Sequence, residues 1–200
     1  MRRYILAAAV LITASLGIMS CSLMSSSGTS RAGKASASAR VAAAAGSPGA
    51  TDDAGRIAAL LQVGIQQARQ QRWSAAVVTF QDVLAINPRN VYASYDLGVI
   101  DQMNNDDSGA VEHYNQAIAD NAKYAPALYN KAILLESSQP QAAIALYDQI
   151  VAINPQASTA YLRLALADAR LGYMTHARAA YQKAITIDPS LGKYQLPAKQ

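Results

Sequence analysis

Few side chains in this 200-residue chain could do chemistry, and they do not converge. There are two histidines, His113 and His176. A catalytic or metal-binding histidine needs partners at fixed spacing, as in the HExxH pattern, and neither one has them. Each reads as a solvated residue on a helix surface. The run Asn104-Asn105-Asp106-Asp107 has the composition of a calcium loop. It lacks the ordered alternation and the closing glutamate that calcium needs, and suits an inter-helix turn instead. No GxSxG elbow, phosphate loop or dinucleotide fingerprint occurs. Cys21 is the one cysteine, so no internal disulfide framework or cysteine-rich metal site is expected. The expectation is a protein with no catalytic residue, no metal and no cofactor. What remains is recognition chemistry: 11 tyrosines beside one phenylalanine and one tryptophan. Tyrosine, with arginine, is over-represented among residues that dominate binding interfaces.

Charge narrows the partner class. The formal net charge is +4. Residues 1–50 carry Arg2, Arg3, Arg31, Lys34 and Arg40 and no acid, which leaves residues 51–200 with 12 basic and 13 acidic side chains. A nucleic-acid binder carries its excess positive charge on the folded face that tracks phosphates. This chain does not, so no nucleic acid is expected.

The N-terminus reads as an export signal. Arg2 and Arg3 precede the uncharged apolar run Tyr4 to Met19, and Ser20 and Cys21 follow at once. The segment Ile18-Met19-Ser20-Cys21 resembles the box of a bacterial lipoprotein signal. That resemblance implies cleavage before Cys21 and lipidation of its sulfur, with residues 1–20 as the signal peptide. An uncleaved signal anchor or ordinary secretion stay open, because Tyr4 to Met24 is long enough to span a bilayer. Each alternative places the rest of the chain outside the cytoplasm, in the first two cases tethered at the cell envelope. Residues 21–50 then form a tether. They hold 8 serines, 9 alanines and 4 glycines, too few large apolar groups to offset the entropy of ordering.

Beyond residue 56 the pattern is helical and it recurs. Gly64, Gly98, Ala132 and Ala165 keep one spacing, as do Ala76, Ala110, Ala143 and Ala177 and the aromatics Phe80, Tyr114, Tyr147 and Tyr181. The phrase Ile-Asn/Asp-Pro closes three of the four units, at Pro88, Pro155 and Pro189, with Ala122 in the second. A period of about 34 residues marks stacked helical hairpins. A small residue lets two antiparallel helices approach, and the aromatic four residues after the alanine shares its face. Proline cannot continue a helix, so it separates the units.

This pattern resembles the tetratricopeptide repeat family over residues 57–191. The resemblance implies an all-α, right-handed solenoid of about four repeats, at 57–90, 91–124, 125–157 and 158–191, within a domain spanning 51–191. Its first helices would line a concave groove that binds a partner protein or peptide. Carried over position by position, the groove would comprise Ala58, Leu61, Ile65 and Arg69, then Tyr92, Tyr95, Val99, Gln102 and Met103. Tyr129, Ile133 and Glu136 follow, then Thr159, Leu162, Leu166 and Arg170. Members of the family that grip a C-terminal carboxylate use Lys and Asn where this chain has Leu, Tyr, Ile and Val. An extended or helical apolar segment is therefore the expected ligand. The tyrosines could equally be packing between units.

Terminal repeats need a cap. The segment after Pro189, with residues 192–200 as the C-terminal tail, either folds back through Leu191, Tyr194 and Leu196 or leaves the last helix open to homo-oligomer formation; docking is the expectation. The functional expectation is a non-catalytic interaction scaffold or adaptor of the bacterial cell envelope. The alternative is an accessory or regulatory subunit of an envelope enzyme, or a weak hydrolase, on the same scaffold.

Overall fold

In the computed structural model, residues 50–196 are described, and all their regular structure is helical. The expected signal segment, the lipidated Cys21, the tether up to residue 49 and the tail beyond 196 lie outside these residues. Eight α-helices follow in order: α1 (Ala50–Arg69), α2 (Trp73–Ile86), α3 (Val91–Met103), α4 (Asp107–Asp120), α5 (Ala125–Leu135), α6 (Pro140–Ile153), α7 (Ser158–Arg170) and α8 (Met174–Ile187). A 3₁₀ turn, Pro189–Lys193, closes the series. The helices pack as consecutive hairpins, α1 with α2 through α7 with α8, and each second helix packs on the next hairpin. This is a solenoid of helical repeats. The first helix starts ahead of residue 57, with Asp52 and Asp53 in its first turn, where carboxylates favour the positive end of the helix dipole.

The recurring aromatic explains the recurring small residue. A Cβ on Gly64 would stand 2.6 Å from Phe80 Cε1, and one on Gly98 would stand 2.7 Å from Tyr114 Cε1. The glycine thus opens a slot for the ring of its own hairpin, rather than only for the alanine of the facing helix. Phe80, Tyr114 and Tyr147 are all but completely buried. Each such ring stabilises the fold by about 2–3 kcal/mol through removal from water. Phe80 joins Ala93 and Leu97 of the next hairpin in one cluster, and Tyr147 joins Ala160 and Leu164 in another, so neighbouring repeats share their cores.

The phrase Ile-Asn/Asp-Pro is a turn. Each second helix stops one residue before the Asn or Asp, which takes an extended φ between −131° and −145°. The side chains of Asn87, Asn121, Asn154 and Asp188 each accept the backbone N–H two residues on, at 3.0 to 3.1 Å. A short polar side chain offers the backbone this local alternative to the helix. The second repeat, with Ala122 in place of proline, makes the same turn. The Asn/Asp therefore ends the helix by itself, and a proline directly after it, where present, reinforces the same boundary.

Within the hairpins, Gln71, Asn105 and Gly172 hold left-handed φ values of 58°, 62° and 80° at one register position. The third hairpin is one residue shorter in this turn and has no such residue. After the fourth hairpin the chain turns back onto it. Tyr181 Oη donates to the carbonyls of Gly192 and Tyr194, at 3.2 and 2.5 Å, and Leu196 packs against the last core cluster.

Candidate functional site

The expected groove residues lie along the first helices with unequal access. Tyr92 and Met103, at the two ends of α3, are 58% and 55% exposed. Tyr95 and Val99 between them are half-buried against the Ala110, Tyr114, Ala117 and Ala127 core. Leu61 and Ile65 are half-buried against the first core cluster, and Arg69 is exposed. Tyr129 is half-buried with its ring steeply inclined to that of Tyr147 at 5.9 Å, and Ile133 and Leu166 are also half-buried. Leu162 retains only 6% exposure and has little surface left for a partner. Arg170 is exposed, with Nη1 4.0 Å from Glu136 Oε2. Ala58 and Thr159 are exposed, whereas Gln102 accepts the Tyr114 phenol at 2.8 Å and is committed to the hairpin.

The tyrosines form one cluster between the second and third repeats. Tyr92 and Tyr95 are three residues apart on α3, hence neighbours on one helical face. Tyr124, just before α5, sets its ring edge-to-face with both, at 5.8 Å from Tyr92 and 5.4 Å from Tyr95. Tyr95 also leans on Tyr114 at 5.9 Å. Asn130 Nδ2 donates to the phenol oxygens of Tyr95 and Tyr114, each at 3.3 Å. Burial first, then the charge of Asp96, pushes the Tyr95 phenol up to about 12, against the opposing Asn130 bond. Burial also raises Tyr114 and Tyr124, so these phenols stay protonated donors across physiological pH.

Asp96, beside Tyr95, is the carboxylate in this cluster. Burial pushes it up to about 7, and no positive group opposes the shift. It occupies the same register position as Gln62, Asn130 and Arg163. Sequence reading assigned none of these four to the groove. The repeat spacing that aligned the aromatics aligns them equally, so the signal was present. A polar column beside an apolar stripe has no hydrophobic period of its own to mark it.

A second polar node sits between the third and fourth repeats. Glu136 accepts the Tyr147 phenol at 2.7 Å and Arg163 Nη1 at 3.3 and 3.4 Å. Burial and the Glu136 carboxylate together raise Tyr147. With Arg170 nearby, Glu136 is a pinned structural carboxylate rather than a free groove acid.

The histidines lie at the surface, with 36% of the His113 side chain and 55% of the His176 side chain exposed, and each is also paired with an aspartate. His113 Nδ1 lies 2.6 Å from Asp101 Oδ2, and His176 Nδ1 lies 2.5 Å from Asp168 Oδ2. Asp168 is buried to 1% exposure, so the partner is the inner member of the pair. Asp101 and Asp168 occupy one register position, where the first repeat has Gln67 bonded to Thr79 at 2.8 Å. Each bridge ties the first helix of a hairpin to its second helix. A shallow cleft by His176 is lined by Asp148, Asp168, Tyr173 and Thr175. Burial, offset by His176, raises Asp148. Among the described residues no group of three His, Cys, Asp or Glu is placed to hold a metal ion. No described helix is long and apolar enough to cross a membrane.

A model of the tetratricopeptide repeat matches residues 64–126 and 132–191, more than half of the chain. No curated protein matches the sequence. Solved structures of the same fold include MamA, 24% identical over 69% of this chain and 81% of its own, with a TM-score of 0.62. PilF of Pseudomonas aeruginosa is 21% identical over 70% of this chain and 65% of its own, with a TM-score of 0.61. YrrB, described as a repeat protein with an unusual peptide-binding site, is 18% identical over 70% of this chain and 72% of its own, with a TM-score of 0.57.

Proposed function

The chain belongs to the tetratricopeptide repeat family, and on that premise we propose that it is a non-catalytic scaffold or adaptor that binds a partner protein along its first-helix face. The observation that carries this reading is the partly open tyrosine cluster of Tyr92, Tyr95 and Tyr124 on that face. Tyrosine supplies a large, stiff contact surface with a polar tip, at low cost in side-chain entropy. Tyr92 and Met103 are the exposed anchors, and Tyr129, Ile133, Leu61, Ile65 and Leu166 continue the apolar track on either side. An extended or short helical segment of the partner fits such a track. YrrB's peptide-binding site supports the same mode of use on this fold.

The site of action in this proposal is the bacterial cell envelope, with Cys21 as the lipid attachment point. Mass spectrometry of the mature protein tests this part: a diacylglyceryl mass lost in Cys21→Ser supports it, and a free thiol at Cys21 removes it.

The alternative, an accessory role in an enzyme reaction, draws on the Asp168–His176 pair facing a cleft with Asp148. The cleft lacks a converged nucleophile, so binding remains the preferred reading.

The deciding experiment is a pull-down from envelope extract with the full chain and with Tyr92→Ala/Met103→Ala. Both residues are exposed, and circular dichroism checks that the variant is folded. A specific partner kept by the first and lost by the second supports the groove. A partner retained by both moves the site elsewhere.

A further inference from the structure

Asp96 is a carboxylate without a counterpart. The other carboxylates near the C-terminal ends of these first helices are satisfied: Asp101 by His113, Glu136 by Arg163 and Tyr147, and Asp168 by His176. Among the described residues, no hydrogen bond or ion pair joins Asp96, and the groups that feel its charge are the phenols of Tyr95, Tyr114 and Tyr124. A half-buried carboxylate beside aromatic rings is costly when ionised and unpaired. The same surroundings reward a cation, because ring faces carry negative potential and a cation seated there favours the ionised form of the carboxyl. Tyr92 and Tyr95 each meet Tyr124 nearly at right angles, at 89° and 79°, which sets aromatic faces at a corner. Tyr92 is 58% exposed, so the corner is open to a ligand.

We propose that Asp96 with Tyr92, Tyr95 and Tyr124 forms a pocket for the positively charged side chain, lysine or arginine, of a partner segment lying in the groove. The assignment rests on the groove reading above and adds to it a specific residue requirement. The partner segment is apolar along its length, with one basic residue seated between the second and third repeats.

The test is an array of dodecapeptides of mixed sequence, probed with the full chain and with its Asp96→Asn and Tyr95→Ala variants. The best binders are remade with norleucine, the uncharged analogue in length, in place of lysine, and measured by fluorescence anisotropy. The expected result is enrichment of Lys and Arg among wild-type binders and about a tenfold loss on norleucine exchange, the size of a desolvated cation–π and ion-pair contact. Asp96→Asn removes the enrichment and leaves norleucine and lysine peptides equal. Peptides bound through Tyr95 without basic enrichment, or with an enrichment that Asp96→Asn leaves intact, overturn the cation pocket and spare the groove. No peptide bound, or binding indifferent to Tyr95→Ala, overturns both. A peptide of residues 26–45 of this chain, with Arg31, Lys34 and Arg40, outbinding all others would assign the pocket to the chain itself and overturn the partner.

Discussion

Replacing Asp96 with asparagine should stabilise the protein, and the gain should grow with pH. The folded carboxyl titrates at about 7 and the unfolded one at 3.8. Below about pH 4 both states hold the proton and the residue costs nothing. As pH rises from there to 7, the unfolded chain ionises while the folded one retains its proton, so rising pH favours unfolding. Above pH 7 both states are ionised and the cost levels off. A rise from 3.8 to about 7 corresponds to about 4 kcal/mol at the plateau. Asparagine does not titrate and is nearly the same shape. Between pH 5 and pH 8 the variant should gain about 2–3 kcal/mol on the wild type, by the difference between the two titration curves. The assay is urea unfolding of both proteins at pH 5, 6, 7 and 8, followed by far-ultraviolet circular dichroism. All other groups are common to both proteins and cancel. A stability difference that does not change with pH would show Asp96 solvated or paired, and the reasoning from its burial would fail.

Other substitutions probe the scaffold. Gly98→Ala should cost about 1–3 kcal/mol in thermal unfolding, because the new methyl meets the Tyr114 ring at 2.7 Å and the Ala110 carbonyl at 3.2 Å. Gln71→Gly should raise stability by about 1 kcal/mol, since a left-handed φ of 58° is free of strain only for glycine. Glu136→Gln should lower it by about 1–3 kcal/mol by leaving Arg163 without its carboxylate. Ending the chain at Ile187 removes the Tyr181 bonds and the Leu196 contact. A lower melting temperature and a larger hydrodynamic radius in analytical ultracentrifugation are expected, as the last hairpin loses its cover.

The fold was legible because three kinds of residue keep one period. Small residues, aromatics and the Asn/Asp-Pro phrase each recur for a separate physical reason: a slot, a ring to fill it, and a turn. Their agreement over four units leaves one architecture that satisfies all of them. The tail's docking was half-visible in Leu191, Tyr194 and Leu196; Leu196 docks by its side chain, whereas Tyr194 docks by its carbonyl. The site was less legible. Apolar periodicity marks both core and groove, so Leu162, buried to 6% exposure, read the same as the half-buried Leu166. Pairing was hidden too: His113 and Asp101 are 12 residues apart, and His176 and Asp168 are 8 apart, each pair on two different helices, so the period of a single helix does not join them. Nothing in the sequence singles out Asp96, because the phenols of Tyr114 and Tyr124 that feel its charge stand 18 and 28 residues away in the chain.

The central claim is that the first-helix face is where this protein meets its partner. Site-directed photo-cross-linking tests it most directly, with benzoylphenylalanine placed at Tyr92 or Met103 on that face, and at Val78 on α2. All three are exposed, at 58%, 55% and 48%, so the probe is tolerated at each. The account predicts one cross-linked partner band from Tyr92 and Met103 and none from Val78. A band from Val78 with none from the other two would contradict it.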